Sequence, residues 1–230
     1  MAQLSRAVGI VLRTQNHAET DRIAVLLTPG HGRLDLLAKG AKRLERAAGA
    51  ALDVLNVVDV IFYRRSGLAL LREVDLRRTF PHVRSDLARL EAALSGMEWA
   101  LRLVPRGMED PEPYKLTLTF LAALEGGLSP GPLRAGYLLR LLSTTGHGPH
   151  LAGCVKCGAR EGLTWSPERG GFLCRNCGGV GEALSPKLVR TLEALARLPL
   201  PALGRLRVDE DLLEQVNAML ASFRGVQLAR

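Results

Sequence analysis

All four cysteines of this chain fall within 24 residues, as Cys154-Val-Lys-Cys157 and Cys174-Arg-Asn-Cys177. Two residues between ligands let both sulfurs of a knuckle reach one ion, and zinc favours four thiolates in a tetrahedron. Sixteen residues separate the pairs, and Gly158 and Gly178 follow them directly, supplying the positive φ that a chain turning around a metal needs. Two disulfides fit poorly with a chain that opens Met1-Ala-Gln-Leu-Ser-Arg6, without the apolar stretch of a secretory leader, so a reducing compartment is expected. A thioredoxin-like redox pair needs a βαβ setting and one motif rather than two. The expectation is one structural Zn²⁺ on Cys154, Cys157, Cys174 and Cys177. Four thiolates leave no open position for a catalytic water, and His147 and His150 read as neighbours rather than ligands.

The rest of the chain changes period near residue 80. Val8, Ile10 and Leu12 alternate with their neighbours, and Ile23, Val25 and Leu27 repeat the pattern, as half-buried strands do. Leu34–Ala38, Val54–Tyr63 and Leu68–Arg72 complete five short strands, with Gly-containing turns at Thr28–Arg33 and Arg64–Gly67, the economical content of an OB-fold barrel. Residues 41–53 are Ala-rich and read as a short helix or a mobile loop. From Ser85, taken as an N-cap, Leu87, Leu90, Leu94 and Leu101 fall at helical spacing. Further helices are expected over 113–124, over 132–145, from Ser185-Pro186, and from Asp209, with their leucines forming one helical core. The predicted class is therefore α+β. An OB-fold nucleic-acid-binding domain (1–80) precedes an all-α domain (81–230), into which a zinc-binding segment (153–182) is inserted.

Charge sharpens this division. The 230 residues carry a net +8, and residues 1–80, with 13 Lys and Arg against 8 Asp and Glu, hold +5 of it. Such an excess favours a polyanionic partner. Arg33, Lys39, Lys42, Arg43 and Arg46 fall within 14 residues, and Arg64 and Arg65 mark the tip of the last barrel hairpin. On a barrel that tracks a nucleic-acid backbone these seven are the candidate phosphate contacts. Only Phe62, Tyr63 and Phe80 are aromatic in this region, so binding should rest on phosphates rather than stacked bases. No phosphate loop, dinucleotide fingerprint, zinc-protease motif or nucleophile elbow occurs, and no run approaches 18 uncharged apolar residues. Glu19, Asp21 and the run Asp209-Glu210-Asp211 read as solvated or helix-terminal acids. A membrane partner, a nucleotide cofactor and catalysis are not expected; a zinc-ribbon nucleic-acid-processing enzyme and an RNA-binding module stand as the alternatives.

The motifs Glu19-Thr-Asp-Arg-Ile23, Leu26-Leu-Thr28, Gly32 and Ala38-Lys-Gly-Ala-Lys-Arg43 resemble the N-terminal signature of the bacterial RecO family of recombination mediators. Gly148-Pro-His-Leu-Ala-Gly-Cys154, Cys157-Gly158, Ser166-Pro167, Gly170-Gly171 and Cys174 with Cys177 resemble that family's cysteine region. The resemblance implies an OB-fold, a helical domain and an inserted zinc segment. It further implies binding of single- and double-stranded DNA, annealing of complementary strands, and partnership with RecR and the single-stranded-DNA-binding protein. A cytoplasmic, nucleoid-associated location would follow. Residues 83–145 match only as leucine-rich helix.

Overall fold

The computed structural model describes residues 3–40, 46–64 and 67–227. Its first five strands are β1 (Leu4–His17), β2 (Asp21–Thr28), β3 (Gly32–Ala38), β4 (Val57–Tyr63) and β5 (Ala69–Arg78), with helix α1 (Arg46–Ala51) between β3 and β4. They close into a barrel in the order β1-β2-β3-β5-β4, all antiparallel except the β3–β5 join. One long strand makes closure possible: β1 pairs with β4 through residues 4–10 and with β2 through residues 10–17, with a bulge between Val11 and Arg13. A bulge adds twist and re-aims side chains. Strict alternation therefore fails here. Gly9, Ile10, Val11 and Leu12 are all buried in succession, while Val8, expected on the same face as Ile10, is partly exposed.

The barrel is filled by Val11, Ala24, Leu26, Leu36, Val58, Val60 and Phe62, and by Ala51 and Leu52 at the end of α1. The expected strand from Val54 starts instead at Val57, because Leu55 has a φ of +79°, outside the extended range, and Asn56 turns its side chain to α1. Asn56 is buried, and its Nδ2 donates to the carbonyls of Ala50 (2.9 Å) and Ala51 (3.2 Å), groups a helix end leaves unpaired. Asp59 on β4 ties three strands together from outside. Its carboxylate accepts from Arg6 Nε (2.9 Å) and Nη2 (2.6 Å) on β1, and from Arg77 on β5.

Helices α2 (Pro81–Ser85), α3 (Leu87–Leu103) and α4 (Glu112–Glu125) follow, and α3 and α4 pack on β1 and β2. This is why β2 is buried on both faces from Ile23 to Thr28. Two sequence expectations change. Ser85 ends α2, and the N-cap of α3 is Asp86, whose side chain accepts from the Arg89 amide at 3.0 Å. The buried face of α3 is not the leucine stripe, since Leu87 and Leu94 are 72% and 43% exposed. It is Ala92, Ala93, Gly96, Met97, Trp99, Ala100 and Leu103, a face of mostly small residues that lets the helix axis approach closely.

The chain separates into two compact units, Met1–Gly127 and Leu128–Arg230, so the helices of residues 81–127 group with the barrel. In the second unit α5 (Pro130–Thr144) is central, with Leu133, Tyr137, Leu138, Leu139, Leu141 and Leu142 buried. Around it pack α6 (Pro186–Arg197), α7 (Leu200–Leu203) and α8 (Glu210–Gln227). The expected Ser185 cap is present, accepting from the Leu188 amide at 3.2 Å. Between α5 and α6 lies a ribbon of two four-residue strands, β6 (Leu163–Ser166) and β7 (Gly171–Cys174). Trp165 fastens it to α8: its indole N–H donates to Ser222 Oγ (3.0 Å), and its ring lies 5.5 Å from that of Phe223. No helix among the described residues is long and apolar enough to cross a membrane.

Candidate metal centre and nucleic-acid interface

The ribbon brings the two cysteine pairs together. Their four sulfurs lie within 4.8 Å of one another, the one cluster of potential metal ligands among the described residues. Cys157 and Cys174 are 3.6 Å apart, near the ~3.8 Å edge of a tetrahedron with metal–sulfur bonds of about 2.3 Å. The backbone is already turned toward ligand sulfur. Amides of Cys174, Lys156 and Cys157 donate to Cys154, and the first of these does most to lower its thiol to about 6. Cys177 is pushed up to about 12 by hydrogen bonding to the Cys157 and Cys174 sulfurs. Four thiols so close cannot all ionise without a compensating cation. The donor set fits a thiophilic ion in a closed site. His150 contributes through its backbone alone, its amide donating to Gly170 O (2.8 Å) and its carbonyl accepting from Phe172 (3.1 Å).

The predicted phosphate contacts separate into groups. Lys39 is exposed immediately after β3. Lys42, Arg43 and Arg65 lie outside the described residues, and so does the side chain of Arg46, whose backbone begins α1. Arg33 is held within the fold, with Nη1 donating to Leu101 O (2.8 Å) and Nε 3.6 Å from Asp35. Arg64 Nη2 lies 3.1 Å from His31 Nδ1. Of the three aromatics of residues 1–80, Phe62 and Phe80 are buried, leaving Tyr63 as the one partly exposed ring.

Sequence reading missed Asp21. It is not a free solvated acid: Oδ1 accepts from the Gly40 amide (2.8 Å) and from Thr20 Oγ1 (3.2 Å), and the first bond holds its carboxyl below the usual range. The bond fixes the chain next to Lys39, so an acid at the start of β2 orients the entry to the basic segment. The preference of Asp for backbone amides at turns was the available signal.

The two halves of the sequence match two family descriptions in order, "Recombination protein O N terminal" over residues 1–80 and "Recombination protein O C terminal" over residues 84–230. Proteins named DNA repair protein RecO are similar over nearly the whole length. That of Rubrobacter xylanophilus is 35% identical over 93% of this chain and 89% of its own. That of Symbiobacterium thermophilum is 31% identical over 94% and 88%, and that of Geobacter sulfurreducens 32% identical over 98% and 93%. A closed five-stranded barrel, a following helical region and a four-cysteine cluster are thus carried by a chain that belongs to the RecO family of DNA repair proteins.

Proposed function

We propose that this chain is a non-enzymatic recombination mediator that binds single- and double-stranded DNA through phosphates and promotes annealing of complementary strands. In this reading it acts with RecR and the single-stranded-DNA-binding protein. The observation that carries the reading is the barrel itself: a closed β1-β2-β3-β5-β4 sheet in a +5 segment, with exposed Lys39 leaving β3 toward the basic run, in a family of DNA repair proteins. The scarcity of exposed aromatic rings on the barrel supports phosphate contact over base stacking. In the four-cysteine site Zn²⁺ would be structural, stiffening a segment too small to order itself on apolar burial.

The test is annealing of complementary oligonucleotides by the full chain without nucleotide. Accelerated pairing, insensitive to ATP, is expected; no acceleration in any DNA pair overturns the reading. Metal-dependent cleavage of either strand would favour a processing enzyme, and equal affinity for RNA would favour an RNA-binding module. Lys39→Glu should flatten the plot of log K against log salt by about 0.7 on single strands, with the same loss for unrelated sequences. An unchanged slope removes Lys39 from the interface.

A further inference from the structure

A second concentration of positive charge lies away from Lys39, at the other end of β3. An open pocket of about 240 Å³ is lined by Arg33, Arg64, Arg106, His31 and Asp35, with the buried ring of Phe62 in its wall. Three segments far apart in sequence build it: the β2–β3 turn, the start of the β4–β5 connection, and the loop between α3 and α4. The last is stitched to the first by backbone bonds, Arg33 N–H to Pro105 O (3.1 Å) and Gly107 N–H to His31 O (2.8 Å). Gly32 permits this seam. Its φ is +55°, and a Cβ there would stand 2.5 Å from Pro105 O.

The charges are arranged rather than neutralised. Asp35, with a side chain only 10% exposed, pairs with Arg106 and stands 3.6 Å from Arg33, fixing both forks in place. Arg64 faces no carboxylate within ion-pair distance among the described residues; it faces His31, whose ring is kept toward its neutral form by burial and by Arg64 itself. Three guanidiniums against one carboxylate leave the walls with an excess of two positive charges, offset in part by exposed Glu109 on the same loop. The volume is below the 300–1,000 Å³ of pockets for drug-sized ligands, which suits a small anion. A phosphate monoester carries close to two negative charges at neutral pH and three acceptor oxygens, whereas a backbone diester carries one charge. Guanidinium forks match such oxygens two at a time.

We propose that this arginine pocket receives the terminal phosphate of a DNA strand, so that the chain distinguishes phosphorylated ends from hydroxyl ends and from continuous backbone. The proposal rests on the DNA-binding reading above and adds to it a site and a ligand group. It assigns Arg64 and Arg106 as phosphate donors, Arg33 as a further donor held by Leu101, and Asp35 as the positioning acid.

The experiment compares one short single strand bearing 5′-phosphate, 3′-phosphate or hydroxyl ends, bound to the full-length chain at fixed salt. One of the phosphorylated forms should bind about tenfold tighter than the hydroxyl form, the scale of one or two charge-assisted hydrogen bonds. Arg106→Ala should remove most of that preference while leaving affinity for the hydroxyl form nearly unchanged. Arg64→Ala should lower affinity for the phosphorylated form more than for the hydroxyl form and so remove most of the preference, and Arg64→Lys should restore only part. Equal binding of all three strands by the parent chain, which needs no variant and no refolding control, overturns the proposal. So does a preference that survives both alanine variants. Should the chain bind no DNA, calorimetry with thymidine 5′-monophosphate separates the two readings: binding abolished by Arg64→Ala keeps the pocket and discards the DNA-binding function, and no binding discards both.

Discussion

The barrel and the cysteine ribbon are both small sheets, and they are held shut by different means. The barrel interior is a cluster of eleven residues, each no more than 5% exposed, contributed by all five strands and α1. Its ends meet through hydrogen bonding around a full circle, and no single side chain carries the closure. The ribbon has two strands of four residues, too little apolar area to order a hairpin alone. Its fixed points are the four sulfurs, the Trp165 contact with α8, and the Leu184 amide donating to Leu163 O at 2.7 Å. Order is spread thinly over many groups in one region and concentrated in a few in the other. Damage should therefore be graded in the barrel and nearly all-or-none in the ribbon.

The sharpest way to break this contrast is Cys174→Ser, or removal of metal by a chelator. Structural zinc contributes on the order of 10 kcal/mol to isolated finger peptides, so the ribbon should open as a unit. Hydrogen exchange should accelerate at the amides of Val155, Phe172 and Leu184, which bond within this region, while barrel amides keep their protection. A purified chain without zinc, or a variant that keeps both metal and protection, ends the closed-site reading. Leu26→Ala, in the barrel core, should cost about 2–5 kcal/mol in a cooperative denaturant transition. Selective loss of ribbon protection in that variant would contradict the division.

Smaller effects test single contacts. Asp59→Ala should cost about 1–2 kcal/mol, less than a buried pair would suggest because Arg6 and Arg77 are more than half exposed. The two arginines hold the Asp59 carboxyl well below the usual carboxylate range. Its contribution is then fully present above the unfolded pKa of about 4 and disappears as pH falls toward the folded value. Melting curves of parent and variant should converge in acid, and a gap that stays constant down to pH 2 would refute the pairing. Smallest is Ser185→Ala at the start of α6, about 1 kcal/mol with no change in denaturant slope.

The same contrast explains what could be read before any coordinates. Chemistry fixed by short spacing was legible: two C-x-x-C pairs form a cluster because each pair closes over four residues, and Ser185-Pro186 caps a helix because the cap bond spans three. Strand positions were legible from period two, except where the β1 bulge buries Gly9 through Leu12 in a row. Helix α3 was misread because leucine count stood in for burial. Docking closely on the barrel favours Ala92, Ala93, Gly96 and Ala100, leaving Leu87 and Leu94 outside. The arginine pocket was only half visible. Arg33 and Arg64 were singled out, but Arg106 joins them through Asp35, 71 residues away, by a loop seam that no local pattern announces.

The join between β3 and β5 has a consequence for how the chain is made. It consists of two parallel pairs, Leu36 with Ala69 and Leu37 with Leu70, so its partners are 33 residues apart in sequence. Antiparallel neighbours β1, β2 and β3 can zip as soon as they leave the ribosome, but the circle cannot shut until β5 has emerged. Until then the outer side of β3 presents unpaired amides and carbonyls to any strand nearby, and loop closure makes this contact late to form. The vulnerable interval in the life of this protein is thus the one between the emergence of β3 and that of β5, and a translational pause there would leave bare the backbone of Leu36 and Leu37 that the finished barrel pairs.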